Sequence, residues 1–312
     1  MSDFKFEEAV TQAFRTSGGK QFGWRLVFWT AAALTVTTLV VLPAFLPHYG
    51  DLMTINQQNM QAILSGNPNA VDNASLNALF LKMAPAYLLM MGGIWAAWVA
   101  CEAALYRKVL RNQEAPKQPL RLGRDELNVW LAQLGVFGLI MTIYIFGIFV
   151  ISIVGGIFSV INPVLGVLFI SVAVIAYLCI LCLASVRLAP AAALSIQDNT
   201  PRVLSAKNLT KGKFWTLFPA YLVVFIGGYI MIYIVMAIGV ALVTGDSNFF
   251  MTMSGFGEGD PKAAMAAAGE RLKNPLIMLL GVLSIVAYCF AYALWIVSIV
   301  GIPAHAVKAW GR

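Results

Sequence analysis

Long uncharged stretches alternate with short charged segments along the 312-residue chain. Five stretches contain no aspartate, glutamate, lysine or arginine: residues 26–50, 83–101, 127–186, 214–245 and 274–307. A helix needs about 20 apolar residues to cross the hydrocarbon core of a membrane. The longest stretch exceeds one crossing, and Asn162-Pro163 near its middle predicts a tight turn, because proline disfavours helical geometry in the residue before it. The pattern therefore predicts six transmembrane helices.

The predicted fold is all-α, a polytopic integral membrane helical bundle in a single membrane domain over residues 1–312. Amphipathic segments at 3–15, 51–65 and 260–273 predict additional short helices. The segment 3–15 suits either the membrane surface or the protein's own cytoplasmic face. The six predicted spans are residues 26–46, 83–104, 131–154, 164–186, 216–243 and 276–300.

Composition supports a membrane location for the whole chain. Hydrophobic residues make up 60% of it and charged residues only 11%, whereas a soluble domain carries about 25% charged residues. A chain this apolar has too few polar side chains to cover a surface in water. The composition therefore excludes a soluble globular protein.

The basic residues predict the orientation of the chain. The six-span layout puts seventeen of the 21 lysines and arginines on one side, and leaves Lys82, Lys262, Arg271 and Lys273 on the other. Loops rich in lysine and arginine stay in the cytoplasm. Both termini are therefore predicted to be cytoplasmic. The net charge of +7 then favours contact with an anionic inner leaflet over nucleic-acid binding.

The connection between the fourth and fifth spans is the most basic segment with a helix signal. Thr200-Pro201 predicts a helix start and Gly212 its end. We define the basic collar as the four basic residues and the tryptophan that follow this start: Arg202, Lys207, Lys211, Lys213 and Trp215. We expect the basic collar to bind acidic lipid headgroups. The alternative is that its charge serves only to orient the chain.

Few ionisable residues lie inside the predicted spans. Glu102 is near the cytoplasmic end of the second span and Arg187 is at the matching end of the fourth. They are candidates for an interhelical ion pair, unless each reaches the interface separately. The middle of every span lacks charge, which argues against ion-coupled transport. Two glycine pairs, Gly92-Gly93 and Gly227-Gly228, predict close helix approach.

Catalytic and metal-binding patterns are absent from the sequence. Cys179 and Cys182 have the spacing of a redox or metal pair, but cysteine in a lipid-buried helix more often serves as a small apolar residue. The only two histidines, His48 and His305, fall on opposite sides of the predicted membrane. No carboxylate pair offers general acid–base chemistry. We therefore predict a non-enzyme with no catalytic residues, no metal site and no cofactor.

One segment carries a family resemblance. Residues 187–222 read RLAPAAALSIQDNTPRVLSAKNLTKGKFWTLFPAYL, about a tenth of the chain. This text resembles a bacterial family of six-helix membrane proteins related to the integral-membrane domain of some glycerophosphodiester phosphodiesterases. Tyr106–Leu110 and Arg121–Leu127 resemble the same family. The resemblance implies a bacterial inner membrane. It implies no phosphodiesterase activity, because that chemistry belongs to a separate soluble domain in the fused members.

The leading functional hypothesis is a non-enzymatic inner-membrane protein that binds lipid or a partner protein and supports envelope or membrane homeostasis. The expected partners are acidic phospholipids, another protein or a second copy of the chain. The alternative is a transporter or channel for a lipid or small apolar solute. It is favoured by a weak internal repeat, since each odd-numbered span follows a basic, glycine-containing segment that ends in tryptophan.

The distribution of basic residues leads to a topology prediction. Reporter fusions placed after Gln113, Asn199 and Arg312 should be cytoplasmic. Fusions after Asn69 and Gly257 should be periplasmic. Alkaline phosphatase and green fluorescent protein activities report the two locations. A single fusion on the opposite side would contradict the six-span layout.

Overall fold

Helices form every regular element in the part of the chain that the structure describes. The computed structural model describes residues 4–16, 19–67, 72–113, 117–121, 123–246, 249 and 261–311. In chain order the helices are α1 (Phe6–Val10), α2 (Gln12–Arg15), α3 (Gly19–Leu64), α4 (Asn73–Leu110), α5 (Arg124–Ile161), α6 (Pro163–Leu188), α7 (Ala191–Asp198), α8 (Ser205–Leu209), α9 (Phe214–Thr244), α10 (Pro261–Leu272) and α11 (Pro275–Trp310).

Six of these helices are long and apolar enough to cross a membrane: α3, α4, α5, α6, α9 and α11. Each predicted span lies inside one of them, so the predicted all-α membrane fold is confirmed. The helices are longer than the spans because a crossing uses only about 20 residues. The shortest of the six has 26 residues and the longest has 46.

The extra length of α3 corrects one expectation. Residues 51–64 do not form a separate amphipathic helix, because α3 continues through them despite Pro43 and Pro47. Helices in membrane proteins tolerate proline where neighbouring groups satisfy the freed carbonyl. The second predicted outer helix is present as α10, over the described part of residues 260–273.

The predicted turn at Asn162-Pro163 joins α5 to α6. Asn162 is extended, and its side-chain Oδ1 accepts hydrogen bonds from the backbone N–H groups of Val164 (2.9 Å) and Leu165 (3.4 Å). Pro163 occupies the first helical position, where no N–H is needed. The two helices then pack against each other, with the rings of Phe158 and Phe169 stacked at 5.0 Å. Sequence and structure therefore agree on this hairpin.

Contacts between Cα atoms group the chain into two compact units. The first unit contains residues 1–26, 99–225 and 297–312, and the second contains residues 27–98 and 226–296. The single membrane domain predicted over the whole chain thus contains two such units. Helices α3, α4, α9 and α11 each contribute residues to both.

In the first unit, the N-terminal segment packs on the end of α11. The predicted helix over 3–15 is two short helices, α1 and α2, and their buried residues face the protein. The Gln12 side-chain oxygen lies 2.9 Å from His305 Nδ1. A Cβ atom on Gly301 would lie 2.6 Å from the carbonyl oxygen of Ala9, so only glycine allows this approach. Of the two placements open to this segment, the protein's own face is the one observed.

In the second unit, only one glycine of each predicted pair makes a close contact. A Cβ atom on Gly228 would overlap the indole ring of Trp295, and one on Gly93 would overlap the Thr37 side chain. Gly92 and Gly227 have no atoms within 4 Å of an added Cβ. Trp295 in turn packs edge-on against Trp98, with ring centroids 6.0 Å apart. The absence of a side chain at Gly228 therefore makes room for this indole.

The glycine pair in α9 provides a matched test of this packing. Gly228→Ala should lower the free energy of unfolding by about 1–3 kcal/mol, because Trp295 must move. Gly227→Ala should be neutral or stabilising by up to about 1 kcal/mol, because alanine favours the helix and meets no neighbour. Thermal unfolding of both variants in one detergent gives the comparison. Equal effects of the two substitutions would contradict the close contact at Gly228.

Candidate functional site

The connection between α6 and α9 differs in detail from its predicted course. Helix α7 ends at Asp198, and Asn199 follows it in the left-handed conformation (φ 59°). The backbone N–H of Arg202 then donates to Ser195 Oγ at 2.8 Å. Because this bond ties the chain back to α7, no helix starts at Thr200-Pro201. The next helix, α8, starts at Ser205.

Gly212 reverses the chain between α8 and α9. Its φ is 72°, a conformation that residues with a Cβ rarely adopt. Lys213 follows directly, and the first turn of α9 holds Phe214 and Trp215. The predicted helix end at Gly212 is three residues late, because α8 already ends at Leu209, and Gly212 lies in the turn that leads into α9.

The structure places the five residues of the basic collar in three different settings. Arg202 is exposed and pairs with Asp198 at 3.3 Å. The Lys213 ammonium lies 4.1 Å from the ring centroid of Trp310. Lys207 and Lys211 are exposed and form no ion pair with a described residue. Trp215 is 77% exposed. The collar is therefore not one uniform charged surface, because two of its cations are already engaged.

Trp215 also lines a groove in the first unit, which we call the Arg187 groove. Its volume is about 600 Å³. The apolar walls come from α6 and from the first turns of α9. They include Cys179, Cys182, Leu183, Phe214, Trp215 and Phe218. Phe214 and Phe218 stack at 5.2 Å, and Trp215 meets Phe218 edge-on. An aromatic cluster of this kind favours the membrane interface.

Arg187 forms the polar end of this groove. It lies in the last turn of α6, and its Nη2 donates to the carbonyl oxygen of Lys207 at 3.0 Å. Thr210 Oγ1 lies 3.0 Å from the carbonyl oxygen of Arg187, which ties the same turn to α8. The Nε atom of Arg187 is buried and has no hydrogen-bond partner among the described residues. No described carboxylate lies within ion-pair distance, so no described residue balances the guanidinium charge.

A smaller apolar groove of about 350 Å³ shares two wall residues, Cys182 and Phe218, with the Arg187 groove. It is lined by residues of α6, α9 and α11. Ser185, its one serine, donates its hydroxyl to the carbonyl of Leu181 at 2.8 Å and presents no free donor. Together, the two grooves have a cationic end at Arg187 and are apolar along the rest of their walls.

The structure does not bring Glu102 and Arg187 together. Glu102 is buried and accepts a hydrogen bond from Gln133 Nε2 at 2.8 Å. Arg187 donates to a backbone carbonyl instead, and no ion pair joins the two residues in the described part of the chain. The sequence could not show that Gln133 on α5 is the nearer polar partner.

The sequence patterns did not predict a buried ion-pair network in the first unit. Arg107 near the end of α4 pairs with Glu126 in the first turn of α5, and the two side chains are only 6% and 4% exposed. Asp125 lies 3.7 Å from Arg107 and 3.0 Å from Arg111. The sequence signal was available: two arginines four residues apart end one helix, and adjacent acidic residues begin the next.

This network positions α7 and hence the connection that carries the collar. Arg111 Nη2 donates to the carbonyl oxygen of Ile196 and lies 3.4 Å from Asn199 Oδ1. The last turn of α7 is thereby tied to the ends of α4 and α5. The bonds connect three helices of the first unit, so the network is structural.

The described residues contain no group of three or more histidine, cysteine, aspartate or glutamate side chains that could hold a metal ion. No protein-family model, no curated protein and no solved structure matches the chain. Any statement about function therefore rests on the Arg187 groove and its surroundings.

The buried network yields a stability prediction. Glu126→Gln should lower the free energy of unfolding by about 3 kcal/mol, because it leaves the buried Arg107 charge with only the more distant Asp125. Glu270→Gln is the matched control, since its pair with Lys273 is about 70% exposed and should contribute less than about 0.5 kcal/mol. Unfolding by sodium dodecyl sulfate titration measures both. Similar losses for the two variants would show that the buried pair is not special.

Proposed function

We propose that this chain is a non-enzymatic, multi-pass protein of a bacterial inner membrane that binds an acidic phospholipid in the Arg187 groove. The observation that carries the proposal is an arginine that forms no ion pair with a described residue, at the head of an apolar, aromatic-lined groove. Such a site matches a molecule with an anionic head and a hydrocarbon tail.

The phosphate of the lipid would bind at the Arg187 guanidinium. A hydrogen bond to a charged group contributes about 1.5–3 kcal/mol. Lys207 supplies the carbonyl that holds the guanidinium, and Lys211 lies between two wall residues, Thr210 and Gly212. Each lysine near an anionic surface adds about 1 kcal/mol of attraction. One arginine would therefore bind the headgroup, and two exposed lysines would add electrostatic attraction.

The hydrocarbon chain would lie along the aromatic wall and continue into the smaller groove. Trp215 and Phe218 offer flat apolar faces to the first methylene groups, and Phe225 and Ile299 line the continuation. Burial of a methylene group contributes about 0.8 kcal/mol when the alternative is water, but much less when the alternative is bilayer. Selectivity would therefore come mainly from the headgroup.

Only part of the basic collar contributes to this lipid site. Lys207, Lys211 and Trp215 adjoin the lipid, whereas Arg202 pairs with Asp198 and Lys213 with the Trp310 ring. The described residues that line the groove include no histidine or carboxylate, which favours binding over catalysis there. With both termini in the cytoplasm, the site would face the anionic inner leaflet. A protein that binds acidic phospholipid in this way would respond to the lipid composition of the membrane, and we propose that it thereby supports envelope or membrane homeostasis.

Two arginines of the same connection provide the test. Arg187→Gln should reduce the phosphatidylglycerol retained through purification about tenfold, corresponding to the loss of about 1.4 kcal/mol. Arg202→Gln removes the same charge from an exposed pair and should change retention less than about twofold. Lipids extracted from equal amounts of purified protein are quantified by mass spectrometry. Equal retention by wild type and Arg187→Gln would rule out the site, and equal losses in both variants would reduce it to general surface charge.

A further inference from the structure

A larger, partly open apolar groove lies in the second unit, bounded by α3, α9, α10 and α11. Its volume is about 830 Å³, within the range of about 300–1,000 Å³ that is typical of small-molecule sites. We call it the unit-two chamber. No lysine, arginine, aspartate, glutamate or histidine is among the described residues that line it. Its ligand must therefore be apolar over most of its length.

The hydroxyl groups in the wall do not change this chemistry. Thr244 Oγ1 donates to the carbonyl of Val240 at 2.9 Å, and Ser284 Oγ donates to that of Leu280 at 2.7 Å. Each hydroxyl proton is thus used by its own helix. The remaining polar wall groups are those of Thr38, Tyr49 and Tyr288. A sugar or an ion would find too few partners here, whereas a hydrocarbon chain needs none.

An arginine lies at the edge of the chamber. Arg271, in the last turn of α10, donates from Nη1 to the carbonyl oxygen of the wall residue Thr244 at 2.6 Å. It forms no ion pair with a described residue, because its neighbour Glu270 pairs with Lys273.

Gly245 permits this placement of Arg271. Its φ is 70°, and a Cβ atom there would overlap the Arg271 guanidinium. The Arg271 guanidinium therefore lies in close contact with the backbone at the end of α9. This arrangement holds the exposed Arg271 side chain at the edge of the apolar chamber.

We infer that the unit-two chamber binds one acyl chain of an acidic phospholipid whose phosphate lies at Arg271. The site is chemically complementary to such a lipid: the apolar chamber accepts a hydrocarbon chain, and the guanidinium at its edge, which pairs with no described carboxylate, accepts an anionic head. Predicted topology places this edge on the periplasmic side, so the lipid would come from the outer leaflet. The site is separate from the Arg187 groove and does not depend on it.

Filling the chamber tests the acyl-chain site. Gly269 and Gly281 both line it; a Cβ atom at Gly269 meets nothing within 4 Å, and one at Gly281 makes only ordinary contacts. Leucine at either position should therefore occupy the chamber without disrupting the fold. Gly227→Leu is the matched control, because Gly227 also has open space around it but lies outside the chamber wall.

All variants are made in an Arg187→Gln background, so that lipid in the Arg187 groove is not counted. Each is reconstituted into vesicles of equal amounts of phosphatidylethanolamine and phosphatidylglycerol, re-extracted in mild detergent and examined by native mass spectrometry. We expect Gly269→Leu and Gly281→Leu to lose bound phosphatidylglycerol about tenfold, and Gly227→Leu to stay within about twofold of the background. Retention by both filled variants would overturn the inference, as would a bound fatty acid in place of phospholipid.

The headgroup contact has its own measurement. Arg271→Gln should abolish the preference for phosphatidylglycerol over phosphatidylethanolamine while leaving the total bound phospholipid within about twofold. Lys273→Gln, which removes a neighbouring exposed cation, should keep the preference. An unchanged preference in Arg271→Gln would contradict the assignment of the phosphate to Arg271.

A further experiment needs no substitution. Phosphatidylglycerol with a photoreactive diazirine at the end of one acyl chain is mixed with the protein in vesicles and illuminated. Labelled peptides should be enriched in the chamber residues Met236 and Tyr288 over the lipid-exposed Phe146 of α5. Labelling that is equal along all six long helices would show ordinary bilayer contact and overturn the inference.

Discussion

The hydrocarbon core of a membrane offers no hydrogen bonds, so every polar group that enters it must be satisfied by the chain itself. The α-helix meets this requirement for the backbone. The side chains follow the same rule through hydroxyls that donate to the carbonyl four residues earlier, as in Thr37 to Ala33 (2.9 Å), Thr142 to Gly138 (2.8 Å) and Ser171 to Val167 (2.9 Å). Hydroxyls paired in this way carry little functional information. Polar groups that lack such a partner carry more.

The arginine residues show the difference between polar groups with and without such partners. Arg107 is deeply buried and compensated by Glu126 and Asp125, which makes it part of the framework. Arg187 and Arg271 donate to backbone carbonyls and form no ion pair with a described residue. Each of these two lies beside an apolar cavity. A cation that forms no ion pair with a described residue, next to an apolar cavity, is chemically complementary to an acidic lipid.

Much of the fold was readable from the sequence because its signals are local. Charge-free stretches predicted the six long helices, and Asn162-Pro163 predicted the turn between two of them. The errors also have local causes. The helix expected at Thr200-Pro201 starts at Ser205, because the backbone of Arg202 bonds to a side chain of the preceding helix. The pairing expected for Glu102 and Arg187 depended on which helices adjoin, and Gln133 takes the place beside Glu102.

The candidate sites were only partly predictable. The basic collar includes Trp215, which lines the Arg187 groove, but its charges are divided between an ion pair, a cation–π contact and solvent. The unit-two chamber is lined by side chains from Thr38 to Tyr288, and the Arg187 groove depends on how α6 packs beside the start of α9, so no pattern along the chain predicted either one. Gly227 and Gly228 are alike in sequence, yet only Gly228 faces Trp295. The sequence by itself determined the solvent of this protein, the number of its spans and the side expected to carry most positive charge, because these depend on summed composition. Only the tertiary structure decided which cations keep their charge uncompensated and where apolar space remains, because both depend on which helices become neighbours.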